Sequence, residues 1–177
     1  MRIALPLLFS ILLLGSFAGQ AESLPSCNTK VITRHGNSLT ASIDGLSNLI
    51  NQRLSASHSA FSDLQLSSVD TNELKVSGKK NGTPMAITGP IHAGKSGQIV
   101  LSADHITKNG SGEMMLMSLF GKTLSDYLNL KKTKNLSVQG NDLRVNPNGL
   151  LNVHGRLKAA QLKGSNVEMR FASTPCR

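Results

Sequence analysis

The chain of 177 residues carries 19 Lys and Arg against 10 Asp and Glu, a formal charge of +9, and only 3% of it is aromatic, with no Trp. That charge favours anionic partners. So few rings leave nothing for bases to stack on, which argues against nucleic acid.

Residues 1–21 are expected to be a secretory signal peptide: Arg2, an apolar run from Ile3 to Leu14, then small residues before a cut near Ala21. The run is short for a bilayer span, and retention as an anchor or a lipoprotein is the alternative. A lipoprotein would rest on Leu24-Pro25-Ser26-Cys27, which sits far beyond the apolar core with Glu22 intervening. For an exported chain the anionic partners are lipid head groups or envelope polymers. Residues 22–38 read as an N-terminal extension carrying Cys27, and 39–177 as one domain. Cys27 and Cys176, the two cysteines, are expected to form a disulfide that ties the ends together, worth up to ~4–5 kcal/mol for so long a loop. Neither has a nearby His or carboxylate at ligand spacing, which argues against a metal or catalytic role.

Leu39 to Ala56 is predicted as a helix, because Ile43, Leu46, Ile50 and Leu54 recur at spacings of three and four. The period then becomes two. Leu64 and Leu66, Leu74 and Val76, Met85 with Ile87 and Ile91, and Ile99 with Leu101 alternate with polar neighbours, as half-buried antiparallel strands do. Lys80-Asn81-Gly82 and Ala93-Gly94-Lys95-Ser96-Gly97 supply turn chemistry between them. A second helix is expected over Glu113–Leu130, with Leu116, Phe120, Leu124, Tyr127 and Leu128 on one face and Met115 and Leu119 widening it. Gly121 inside it costs ~1 kcal/mol against Ala.

After the basic run Lys131, Lys132 and Lys134, alternation returns: Leu136 and Val138, Leu143 and Val145, then Leu151, Val153, Leu157 and Ala159, then Val167, Met169 and Phe171. Arg144, Arg156, Lys158, Glu168 and Arg170 fall on the opposite parity. The order is helix, about four strands, helix, about four strands.

The stretch Gly89 to Ser96, GPIHAGKS, matches the fixed positions of a phosphate-cradling loop. Such a loop must open a helix whose amides hold the phosphate, whereas Gln98 to His105 reads as a strand. The stretch is therefore expected to be a hairpin, and no nucleotide is expected as a partner. No cofactor is expected. The histidines have no second His or carboxylate at metal-ligand spacing; His92 and His105 are the best metal pair, by meeting across the hairpin, against a plain solvated reading. No G-x-S-x-G elbow occurs. Asp104 beside His105 is not expected to build a triad, since adjacent strand residues point to opposite faces. An enzyme is not expected, and no catalytic or metal residue is assigned. The lysines at 131, 132 and 134 read either as the solvated end of the second helix, complementing its dipole, or as contacts to anionic lipid heads.

Leu124 to Leu128, Lys131 to Lys134, Val138 to Pro147 (VQGNDLRVNP) and Gly155 to Gly164 (GRLKAAQLKG) together resemble the LmeA-like phospholipid-binding proteins, exported bacterial proteins related to the tubular lipid-binding (TULIP-like) fold. The resemblance covers about residues 40–172, with DGLSNLINQRL from Asp44 to Leu54 matching more loosely. It implies an α+β half-barrel, a highly curved antiparallel sheet wrapped around two amphipathic helices, and a non-catalytic role in lipid handling in the periplasm or cell envelope. Acyl chains would lie in an apolar groove lined by Leu46, Ile50, Leu54, Leu116, Leu119, Phe120, Leu124 and Leu128. Lys131, Lys132 and Lys134 would meet the head group, and Met114, Met115 and Met117 would suit a yielding wall. The same residues also suit a filled core. The alternative is a structural or adaptor protein whose basic sheet face binds an anionic partner.

Overall fold

The computed structural model describes residues 31–56, 60–108, 114–115, 123–128 and 135–175. Residues 1–21, Cys27 and Cys176 lie outside them. Two open, curved antiparallel sheets share one apolar core, so the α+β class is as expected.

The smaller sheet runs in the order β1 (Ile32–His35), β2 (Ser38–Ser42), β12 (Asn166–Phe171), β11 (Leu157–Lys163). Its first two strands lie where an extension and the start of a helix were expected. Leu39 and Ala41 are fully buried and alternate with Thr40 and Ser42, and β12 pairs with all of them, so the two-residue period governs here. The helix α1 (Ile43–Ala56) starts only where Ser42 caps it, its Oγ accepting from the Gly45 amide at 3.2 Å. Along β11 the register shifts between Leu157 and Ala159, which places Ala160 rather than Ala159 beside Leu157 in the core. Leu151, expected in a strand, belongs instead to α3 (Pro147–Leu151). Asn146 accepts there from the Asn148 amide at 3.1 Å, Pro147 takes the first turn and Asn152 ends it at φ 51°.

The larger sheet runs β3 (Phe61–Asp70), β4 (Glu73–Lys80), β5 (Thr83–Ala93), β6 (Ile99–Ser102), β10 (Asp142–Val145), β9 (Leu136–Gln139). β7 (His105–Lys108) also pairs β5, and β8 (Met114–Met115) pairs β7. The β4–β5 turn has positive φ at both Asn81 and Gly82, as the Asn-Gly dipeptide predicts.

One edge of β5 carries β4; the other is shared, β7 lying beside Met85–Thr88 and β6 beside Ile91–Ala93. The step from Ile87 to Ile91 on β5 spans one residue fewer than the step from Leu101 to Ile106 on its partners. A bulge at Ala103-Asp104 absorbs the difference, Ala103 donating to the Asn141 carbonyl at 2.9 Å and Asp104 to that of Thr88 at 3.0 Å. The strand expected over Gln98–His105 is therefore divided. Gly89 sits against the bulge, and a Cβ there would lie 2.0 Å from the Ser102 carbonyl oxygen.

The helix expected over Glu113–Leu130 is corrected where it can be seen. Met114 and Met115 form a strand against Ile106 and His105, and among the described residues α2 covers Leu124–Leu128. Thr123 stands at the start of α2: its amide and hydroxyl donate to Asp126 Oδ2 at 2.7 and 3.0 Å, a cap legible in the tetrapeptide Thr-Leu-Ser-Asp.

Polar side chains join the parts. The outer edge of β3 is closed by α1: Asn51 donates to the Leu64 carbonyl at 2.7 Å and accepts from its amide at 2.8 Å, and Ser47 Oγ accepts from the Leu66 amide at 2.9 Å. Asn72 links the sheets, donating to the Ile91 carbonyl at 2.8 Å and accepting from the Leu162 amide at 3.0 Å.

Candidate functional site

Residues paired directly across antiparallel strands face the same side, so the register of the larger sheet defines its two faces. One row is Leu66, Val76, Ile87 and Ile106. Beyond the bulge follow Ile91, Leu101, Leu143 and Val138, then Ala93, Ile99, Val145 and Leu136. The extra residue in the bulge is what keeps Leu101 and Ile106, of opposite parity, on one side. The result is one aliphatic face from β3 to β9. The reverse face carries rows such as Gln65, Ser77, Ala86 and Thr107.

Burial along the aliphatic face is uneven. Its middle is closed: Ile87 is 4% exposed, Ile91 1% and Ile106 1%. Its flanks, Leu66, Val76 and Met85 on one side and Ile99, Val138, Leu143 and Val145 on the other, are half-buried among the described residues.

Toward the β4–β5 turn the same face changes character. Lys108 pairs Met85, and the last row is Phe61, Lys80 and Thr83. α2 stands over this end. Lys80 Nζ donates to the Tyr127 carbonyl at 3.0 Å and lies 5.9 Å from the centre of the Phe61 ring, so its ammonium is held by a carbonyl and by the π face. Between them opens a cleft of about 280 Å³ lined by Lys80, Asn81, Thr83, Met85, Lys108, Asp126 and Tyr127. Asp126 Oδ2 is committed to capping α2.

The expected groove residues are only partly gathered here. Leu46, Leu124 and Leu128 are 5%, 0% and 5% exposed and belong to the common core, where they pack the interior and present almost no surface to a ligand. Ile50 and Leu54 are half-buried on α1. Leu116, Leu119, Phe120, Lys131, Lys132, Lys134, Cys27 and Cys176 lie outside the described residues. Lys80 and Lys108 were missed. The signal was present: both continue an apolar parity, Leu74-Val76-Gly78-Lys80 and Ile106-Lys108, so a cation sits where alternation calls for a hydrophobe.

The remaining candidates resolve as follows. Asp104 Oδ1 and His105 Nδ1 are 2.8 Å apart, contrary to the expectation that neighbours diverge. Asp104 lies in the bulge, where alternation lapses. Among the described residues no hydroxyl hydrogen-bonds to this imidazole. His92 and His105 do not meet, since their partners across β5, β6 and β7 are Val100 and Thr88. No group of three possible metal ligands occurs among the described residues.

GPIHAGKS is a hairpin, as expected. Gly89–Ala93 finish β5, and Gly94 closes the turn by donating to the Gln98 carbonyl at 2.8 Å. Lys95 is exposed at the tip, where its carbonyl accepts from Arg156 at 2.7 Å.

The outer face of the smaller sheet is mixed in charge. Glu168 accepts from Gln161 at 3.1 Å and pairs Lys163 at 3.2 Å; those two contacts, Gln161 first, hold its carboxyl below the ordinary range. No described helix is long and apolar enough to cross a membrane.

The fold and cleft define a sheet-rich α+β protein with an apolar face that ends at two lysines. No protein-family model, curated protein or solved structure matches the chain.

Proposed function

We propose that this protein is an exported, non-catalytic carrier that holds an amphiphilic lipid against the aliphatic face of its larger sheet. The single observation that carries the reading is that this face is continuous from β3 to β9 yet closed only in its middle. Apolar surface of this kind is what an acyl chain exchanges for water, at about 25 cal/mol per Å² removed from solvent. α1 and α2 flank the face, which fits two helices held within a curved sheet, and the resemblance to LmeA-like proteins points the same way. The leader-like N-terminus supports an envelope location.

The reading is tested by purifying the full chain from cells, extracting it with organic solvent and examining the extract by mass spectrometry. An acyl lipid at close to one molecule per chain is expected. An empty extract, together with no saturable binding of a fluorescent fatty acid, would remove the carrier function.

A further inference from the structure

We infer that the cleft between the β4–β5 turn and α2 is a subsite for a phosphate ester, so that a bound amphiphile lies in one orientation, head at Lys80 and Lys108 and tail along the aliphatic rows. The placement of the tail rests on the carrier reading; the anion subsite stands on its own chemistry.

Lys80 is positioned before any ligand arrives. The Tyr127 carbonyl takes one of its three N–H groups and the Phe61 ring lies 5.9 Å from the ammonium, which leaves donor capacity for an anion. A charged donor whose geometry is already fixed loses less freedom on binding than a surface lysine does. Lys108 faces the same side from the neighbouring strand, because Met85 pairs it directly and Thr83 pairs Lys80. Thr83, Asn81 and Tyr127 add polar groups to the wall. Among the described residues Asp126 is the one carboxylate lining the cleft, so two lysines against one aspartate leave a single positive charge there. That balance suits the single negative charge of a phosphodiester better than the ~1.5–2 charges of a phosphomonoester.

Met85 marks the border: on the face it is followed by Ile87 in one direction and by Thr83 in the other. A head group in the cleft therefore has aliphatic surface one row away.

The test is calorimetric titration of the full chain with dihexanoyl phosphatidylglycerol, dihexanoylglycerol and inorganic phosphate. The phosphodiester lipid is expected to bind about tenfold more tightly than the uncharged one, as a charge-assisted hydrogen bond allows. Lys80→Met with Lys108→Met should abolish that advantage. Lys108→Met alone should reduce it while leaving the bond to Tyr127 in place. The matched control is Lys75→Met with Lys79→Met, which removes the same charge from the reverse face of β4 and should leave the advantage intact.

Equal binding of the two lipids, or an equal loss in the control, overturns the subsite and leaves the carrier reading standing. Saturable binding of inorganic phosphate alone, lost in the Lys80/Lys108 variant, supports the subsite with free phosphate as its source and counts against the carrier. Binding of none of the three probes overturns both.

Discussion

The two sheets use the same alternation to different ends. In the smaller one the inward residues are sealed except at the β11 edge: Leu39, Ala41 and Met169 are 0% exposed and Phe171 is 2%, while Leu162 is half-buried. In the larger one the central rows are equally dry, but the flanking rows keep part of their apolar area in contact with solvent. A sheet that serves only the core has no reason to carry aliphatic residues past the point where they are covered. The smaller sheet is the stabilising unit, and the larger one both stabilises the fold and presents a surface.

Truncations should separate these roles. Leu39→Ala in the smaller sheet is expected to cost about 2–5 kcal/mol in urea unfolding, the usual penalty for a cavity in a closed core. Val138→Ala, on a half-buried row of the larger sheet, should cost about 1 kcal/mol, since less area leaves water on folding. Its larger effect should fall on binding of a fluorescent fatty acid. Comparable stability losses for the two variants would erase the distinction.

Gly89→Ala probes the bulge that keeps the aliphatic face continuous. With a Cβ placed 2.0 Å from the Ser102 oxygen, β5 and β6 must move apart, at about 1–3 kcal/mol. Acyl binding should weaken together with thermal stability, and a variant that unfolds and binds as the parent does would show that the close approach does not matter. Asn51→Ala should cost about 1–3 kcal/mol by leaving the Leu64 amide and carbonyl without their partner. Amide hydrogen exchange should then accelerate at Leu64 and leave β11 and β12 unchanged.

The smallest effect is expected at Lys79 and Asp63, 2.8 Å apart on the reverse face of the larger sheet. Lys79, first by hydrogen bond and then by charge, lowers the Asp63 pKa, and Asp63 raises that of Lys79 in return. The carboxylate's contribution is present above its unfolded value of about 3.9 and fades as pH falls through the lowered folded value; the ammonium's is present below about 10.4 and fades above it. Both side chains are about half exposed, so the advantage of the parent over Asp63→Asn should be slight between those limits and vanish in 1 M salt. Persistence of the difference in high salt would point to packing instead of charge.

How far these roles were legible in the sequence depends on the range of the forces involved. Alternation and the Asn-Gly turn placed β3 to β6, β9, β10 and β12, because those signals are local. Leu39 and Ala41 were hidden, since they run directly into the helical stripe of Ile43 and Leu46, and only the arrival of β12 settles which period applies. Met114 and Met115 are unbranched and fit either element, so pairing with β7 decided their state. The bulge at Ala103-Asp104 left no mark, because it is a mismatch in length with β5. At the site, Lys80 and Lys108 could be read as cations on an apolar parity. The cleft they form with α2 could not, because Tyr127 lies 47 residues from Lys80 along the chain.

The central claim concerns place, and photo-crosslinking tests it most directly: a diazirine-tagged fatty acid is irradiated with the full chain, and the labelled peptides are mapped by mass spectrometry. The account predicts label on β4 and on the β9–β10 hairpin, at the half-buried aliphatic rows, and reduced label there in Val138→Asp. Label confined to β1, β2, β11 and β12, or spread evenly over the chain, would contradict it.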